Sequence, residues 1–201
     1  MTEMKILHAT PLQTNNYLLF FDDGAVLVEA SVSIEAIREA LGDKKLCAVL
    51  LTHSHFDHAQ NLEKILKEFD AKCFMNERCF EKIRAHKKEF YGDRSFCVEG
   101  CEDKITYVHD EQKVQVCGED IVCLETFGHT DDSMSFVVGE NVFVGDLIFR
   151  DGVGRTDLPT GDEEDEERSI EKILSLPKYY EIFPGHGPKT SVGEQLKHWG
   201  I

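Results

Sequence analysis

The sequence predicts an α/β fold in which two sheets pack face to face with helices outside. Three observations point to it. Short apolar runs rich in strand formers alternate with amphipathic helical stretches in both halves of the chain. The second half is dominated by closely spaced short strands separated by Gly, Asp or Asn. Residues suited to binding metals fall at predicted strand ends, where layered α/β folds collect their binding residues.

Apolar runs at 4–8, 16–21 and 25–29 read as strands, with Asp23-Gly24 as the hairpin turn between the last two. Ile34, Ile37 and Leu41 recur at helical spacing over 33–41. "KLCAVLLT" (45–52) is continuously apolar and reads as a buried strand ending at His53. A helix over 59–69 places Leu62, Ile65, Leu66 and Phe69 on one face. The segment 76–103 is the hardest to read; a helix there would be a candidate cover over the site. Strands are predicted at 104–109, 112–117, 120–126, 133–138 and 141–145, and a helix at 166–176. A strand at 179–183 precedes a last helix at 191–198, capped by Ser191.

The 201 residues are read as one domain, 1–201, since no low-complexity linker or repeat divides them. No apolar run approaches the roughly 20 residues needed to cross a bilayer. "MTEMKILHAT" lacks the basic start and apolar stretch of a secretory signal, so a cytoplasmic location is expected. Seven cysteines without a CxxC are expected to be free thiols in a reducing compartment. A net charge of -16 opposes phosphate backbones and anionic membrane surfaces, which excludes nucleic acid and membrane as expected partners.

"LLTHSHFDHAQN" (50–61) places His53, His55, Asp57 and His58 between a buried strand and a helix. His53 and His55, two apart in extended chain, can point to one side and grip one ion. Asp57 and His58 follow where the chain turns, and can reach a second position. Imidazole and carboxylate suit zinc, iron or manganese. One loop does not easily enclose two ions, so further ligands must come from elsewhere. Three residues share one grammar of apolar strand, glycine and ligand: His129 in "ETFGHTDDS", Asp146 in "VFVGDLIF" and His186 in "IFPGHGPKT". The histidines at 8, 86, 109 and 198 lack that setting and read as ordinary surface or core residues.

"THSHFDH", "GHT", "GD" and "PGHG", in that order over nearly the whole chain, resemble the metallo-β-lactamase superfamily. The resemblance implies an αββα sandwich of two mixed β-sheets flanked by helices. It also implies two divalent metal ions between the sheets, zinc before iron or manganese. His53, His55 and His129 would hold the first ion, Asp57, His58 and His186 the second, and Asp146 would bridge them. The implied chemistry is attack by a metal-bridging hydroxide, with Asp57 and Asp146 as the catalytic carboxylates.

"TNNYLLF", "GVGRTDLPTGDEE" and "PGHGPKTSVGEQ" are similar to the short glyoxalase II-like (hydroxyacylglutathione hydrolase-like) enzymes. That resemblance implies a small-molecule thioester substrate, such as the 2-hydroxyacyl thioester S-lactoylglutathione. Long forms carry further helices after the last ligand, whereas 15 residues follow His186 here. Arg155 and Asp157 are read either as groups orienting ligands or substrate, or as a surface ion pair. Tyr17 reads as a packed aromatic, with a place near the site as its other reading. The acidic run Asp162 to Glu167 reads as a solvated helix start.

Rival readings stay on the same metal core. A mononuclear iron persulfide dioxygenase, which also carries "GRTD", would use His53, His129 and Asp146. A lactonase or β-lactamase lacks a supporting motif. A nuclease conflicts with the negative charge, and a non-catalytic module with the complete ligand set.

Overall fold

The structure, a computed structural model, describes residues 1–85 and 98–200. Its first sheet contains β1 (Glu3–Ala9), β2 (Thr14–Phe21), β3 (Gly24–Val28), β4 (Leu46–Leu50), β5 (Lys72–Met75) and β6 (Ile105–Tyr107), in sequential order. β1 to β3 form an antiparallel meander, and β3 to β6 run parallel. The parallel strands are joined by crossovers containing α1 (Ile34–Leu41) and, after β4, α2 (Phe56–Ala59) and α3 (Leu62–Phe69). α4 (Glu77–Ala85) follows β5.

The second sheet is built from β7 (Gln112–Val116), β8 (Glu119–Glu125), β9 (Met134–Val138), β10 (Asn141–Gly145), β13 (Glu181–Pro184) and β14 (Thr190–Ser191). Its order is β14-β13-β10-β9-β8-β7, antiparallel except where β10 meets β13. A small hairpin, β11 (Ile148–Phe149) and β12 (Gly152–Val153), leads toward α5 (Glu163–Leu174). α6 (Val192–His198) begins directly after β14, and the Ser191 side chain caps it by accepting from Glu194 N.

Period-two alternation sets the layers. Along β2, Leu18 and Phe20 pack toward the helical face with Ile37, Leu62 and Ile65. Tyr17, Leu19 and Phe21 point the other way, against Phe136, Phe143 and Phe183 of the second sheet. The outer face of that sheet, through Val142, Val144 and Ile182, packs on Ile170, Ile173 and Val192 of α5 and α6. The layers therefore run helix, sheet, sheet, helix, the αββα arrangement expected. A strand apolar on both faces is what a sheet covered on both sides requires.

Three expectations need correction. Gly24 already pairs with Phe21, so the tight turn is Asp22-Asp23 rather than Asp23-Gly24. The helix read over 59–69 is two helices. Asn61 interrupts it, donating through its backbone to Ala30 O (2.9 Å) and through Nδ2 to Ser31 O (2.9 Å) and Val32 O (3.1 Å). These bonds pin α2 to the loop after β3, which fixes where Asp57 and His58 stand. Finally, not all the thiols are free. Cys47 in β4 and Cys117 in the β7–β8 turn form a disulfide between the sheets, 70 residues apart in sequence.

Part of the segment 76–103 is helical as expected, in α4, whereas residues 86–97 lie outside the described residues. Among the described residues, no helix is long and apolar enough to cross a membrane.

A crosslink closing so long a loop restricts the unfolded chain by about 2–4 kcal/mol. Reducing the protein should therefore lower its melting temperature by roughly 5–15 °C. A Cys117→Ser variant should show the lower value with or without reductant. Calorimetry of both proteins in both conditions checks this.

Candidate metal centre

The site lies at the ends of β4, β8, β10 and β13, where each strand stops and its loop turns toward the gap between the sheets. His53 and His55 follow β4 in extended chain, while Asp57 and His58 lie on α2. His129 follows β8, Asp146 follows β10 at once, and His186 stands two residues after β13. All seven residues come together, although they are drawn from four separate stretches of the sequence.

Three nitrogens converge on one point. His55 Nδ1 is 3.0 Å from His53 Nε2 and 3.0 Å from His129 Nε2. A metal–nitrogen length of about 2.0–2.1 Å places such nitrogens about 2.9–3.4 Å apart, for angles from roughly square to roughly tetrahedral. The trio therefore has the spacing of three ligands around one small cation. Beside it, Asp57 Oδ2 is 3.1 Å from His186 Nε2 and 3.6 Å from His58 Nε2. Asp146 stands between the two groups. Its Oδ1 is 3.4 Å from His58 Nε2, and its Oδ2 is 3.6 Å from His186 Nε2 and 3.8 Å from His129 Nε2.

His58 Nε2 and Asp146 Oδ1 are fully buried and, although 3.4 Å apart, make no hydrogen bond of good geometry to each other or to any other described residue. Orphaned buried polar atoms need an explanation, and a bound cation supplies one here. The donor set of imidazoles and carboxylates fits two divalent ions. Side-chain exposure rises from 0% at His58 to 29% at His186, so the site opens on the His186 side.

The two halves carry opposite charge tendencies. Burial, together with the neighbouring imidazoles, drives His53 well below its ordinary value and His55 down to about 4. Their lone pairs are thus free at neutral pH. Burial also opposes charge on His58, but the Asp146 and Glu29 carboxylates outweigh it and hold His58 well above 6.5. His186 is raised in the same way by Asp57 against burial. Asp57 and Asp146 are held below the ordinary carboxylate value despite burial, by His186 and His58 respectively. In metal-free protein this favours protonation of His58 and His186, which puts positive charge where the carboxylates draw it.

Supports around the site were less legible. Glu29 is buried just beyond β3, at φ 67, and its Oε1 lies 3.1 Å from His58 Nδ1. The same oxygen accepts from Thr52 Oγ1 at 2.7 Å, and Thr52 Oγ1 is 3.0 Å from His53 Nδ1. A carboxylate behind a ligating imidazole fixes its tautomer and aim. Asp132, fully buried, accepts from Ser54 N at 2.8 Å, between His53 and His55, and pairs through its other oxygen with Lys82 of α4. The only sequence signals were an acid ending an apolar run, and the second Asp of "GHTDDS".

Tyr17 is a packed aromatic that also serves the site. Its hydroxyl donates to Pro184 O at 2.6 Å, and its ring lies against Phe143 and Phe183. Asn15 donates to Pro184 O (3.1 Å) and Gly187 O (2.8 Å), so β2 holds the His186 loop from both flanks. Thr14 Oγ1 donates to Asp57 Oδ2 at 3.1 Å. The Arg155 and Asp157 side chains are exposed and paired with each other at 2.9 and 3.0 Å. What Arg155 gives the site is its carbonyl oxygen, 2.7 Å from His129 Nδ1, which leaves Nε2 free to bind. Glu166 departs from the solvated helix start expected of its acidic run: it is buried, and burial pushes its carboxyl up to about 7.

Metal-free protein should be most stable near pH 6.5. His53 and His55, depressed in the fold, contribute stability that is lost as pH falls below 6.5 toward their folded values. Asp57 and Asp146 add to that loss at lower pH, and Glu166, which is raised, offsets only part of it. His58 and His186, raised in the fold, contribute stability present below 6.5 and lost as pH rises through their folded values. Melting curves at pH 4.5, 6.5 and 8.5 with chelator test this, and saturating zinc should abolish the alkaline fall.

A second prediction concerns Gly185. A Cβ there would strike Asp146 Oδ1 and His58 Cε1. Gly185→Ala should weaken metal binding roughly 10- to 100-fold, the range seen when the surroundings of ligands are disturbed. Chelator competition gives the number, and circular dichroism should show the sheets intact.

Comparison with known proteins agrees with this geometry. Residues 9–186 match the metallo-beta-lactamase superfamily. The chain is 31% identical over 197 residues to the probable metallo-hydrolase YqgX of Bacillus subtilis, covering 90% of this chain and 89% of that one. It is 30% identical over 214 residues to the hydroxyacylglutathione hydrolase GloC of Haemophilus influenzae, covering 96% and 95%. Among solved structures, the BLEG-1 B3 metallo-beta-lactamase superposes with a TM-score of 0.88 at 28% identity, covering 98% of this chain and 97% of that one. The di-iron-bound form of TTHA1623 does so with 0.82 at 26%, covering 96% and 97%. With its sandwich, its ligand order and a match over most of its length, this chain belongs to the metallo-β-lactamase superfamily.

Proposed function

We propose that this protein is a dinuclear metal-dependent hydrolase of a small-molecule thioester, a 2-hydroxyacyl thioester such as S-lactoylglutathione being the best candidate. The observation that carries the proposal is the pair of ligand groups with Asp146 between them: His53, His55 and His129 on one side, Asp57, His58 and His186 on the other. The similarity to a hydroxyacylglutathione hydrolase supports the choice of thioester over lactam or lactone. The BLEG-1 likeness is the reason to test a β-lactam beside it.

When bound, the two ions supply Lewis acidity, which acidifies water to about neutrality and polarises a carbonyl oxygen. The residues of the chain do the rest. Asp57, steadied by the Thr14 hydroxyl at 3.1 Å, presents an oxygen toward the more open His186 side, where it can orient the attacking water. Asp146 keeps the two groups at a fixed separation. Glu29 and the Arg155 carbonyl hold His58 and His129 in the tautomers that leave Nε2 free. A thiolate leaves without strong acid assistance, since its thiol has a pKa of about 8.5.

The test is metal content by elemental analysis, followed by hydrolysis of S-lactoylglutathione and of a β-lactam. Two ions per chain with preferential thioester cleavage is the expected result. His55→Ala and Asp146→Ala should each lose metal and at least roughly 100-fold in activity together, with the fold retained. A single iron per chain with oxygen consumption on a persulfide would overturn the proposal in favour of a dioxygenase. Full turnover and metal content in Asp146→Ala would remove the bridging role.

A further inference from the structure

Helix α5 buries one face through Glu166, Ser169, Ile170, Ile173 and Leu174. Four of these positions are what a packing face requires; Glu166 is not. It is 3% exposed, and neither carboxylate oxygen has a hydrogen-bond partner of good geometry among the described residues. A carboxylate without a well-aligned partner, on a face whose other polar residue, Ser169, donates to Phe127 O, costs stability, so packing alone does not account for it.

Its surroundings do. The carboxylate faces the backbone amides of His129 and Gly154, with Asp146 close enough to act on it electrostatically. Gly128, immediately before His129, approaches so closely that a Cβ would fall on the Glu166 backbone and on Oε2. A Cβ on Gly154 would come within 3.0 Å of Oε1 and would strike the Asp146 carbonyl. The amide of Asp162, the cap of α5, donates to Gly128 O at 2.8 Å. The Gly154 amide donates to Leu147 O at 3.1 Å, and the next carbonyl, that of Arg155, holds His129 Nδ1. Glu166 thus stands where three stretches of backbone meet, carrying His129, the acceptor that orients its ring, and Asp146.

We infer that Glu166 is a positioning residue for His129: set behind the amides of His129 and Gly154, it fixes the His129 loop against the Arg155 carbonyl and so aims Nε2 at the first metal position. The inference rests on the reading of His129 as a metal ligand. A side chain kept for this purpose trades stability of the metal-free chain for alignment of the ligand, which separates it from a packing residue.

The test compares Glu166→Leu and Glu166→Gln in the full chain. It reads the melting temperature of metal-free protein, zinc affinity by chelator competition, and the visible absorption of cobalt-substituted protein. Glu166→Leu should raise the metal-free melting temperature by a few degrees, weaken zinc roughly 10- to 100-fold and shift the cobalt spectrum. Glu166→Gln, which keeps the shape and an acceptor, should recover most of the affinity and the original spectrum. Glu166→Met serves in place of the leucine variant if that one does not fold. Unchanged affinity and spectrum in the apolar variant, or affinity and stability lost in step, would overturn the inference. A His129→Ala control separates the two failures: unaltered zinc binding there sinks the reading of the centre itself, whereas lost binding with an unaffected Glu166→Leu sinks only the role of Glu166.

Discussion

In a buried pocket His55 Nδ1 stands 3.0 Å from both His53 Nε2 and His129 Nε2, a crowding of nitrogens that a cation between them would stabilise. Burial holds the His53 and His55 rings neutral and removes the water that would otherwise satisfy their nitrogens. The fold must therefore hold this cluster by other bonds. Thr52 and Glu29 grip His53 and His58 from behind, Asp132 takes the amide between His53 and His55, and the Arg155 carbonyl fixes His129. Each support sits on a different loop, so the site is a convergence of short, individually anchored segments. Preorganisation of this kind lets an arriving cation find its ligands already aimed, with little left to order.

Close approach is the second condition, and glycine meets it. At Gly145, φ is +56, and a Cβ would collide with Thr52, so the strand that delivers Asp146 lies directly against the loop that delivers His53. Gly185 has Asp146 and His58 in the space its side chain would fill. Gly128 has Glu166 there. The pattern of apolar strand, glycine and ligand thus has a steric origin: the residue before each late ligand is where another part of the centre passes.

This explains what could be read from the sequence and what could not. The αββα layering was legible because the strands are apolar on both faces and the helices on one, as in β2 and α3. The seven ligand-type residues were legible because four of them crowd one short loop after a buried strand and the other three stand behind strand-end glycines, settings that packing rarely requires. Glu29, Asp132 and Glu166 were not. Each looks in sequence like ordinary surface acid: Glu29 ends a strand, Asp132 sits beside Asp131, and Glu166 lies within a run of six acids. Only tertiary burial separates them from their neighbours, and burial of a charge has no local sequence pattern. The break at Asn61 was missed for a related reason, since its partners Ala30, Ser31 and Val32 are some thirty residues away.

The centre is also a joint between the two sheets. Asn15 N donates to Gly185 O and Met134 N to Thr52 O, both at 2.8 Å, each bond linking a strand or loop of one sheet to the other. The candidate ligands of the first half of the chain meet those of the second only if the sheets are docked. A cation held by both halves binds the docked sandwich and not its separated parts, so its binding free energy adds to the cohesion of the sheets. At the other end of β4 the Cys47–Cys117 bond ties the same two layers. Between these two ties lies the apolar interface of Leu19, Phe21 and Leu50 with Phe136, Phe143 and Phe183, which needs no polar partner. The arrangement assigns the unfavourable polar cluster to the one edge of the sandwich where a metal can offset it, and leaves the middle to hydrophobic burial.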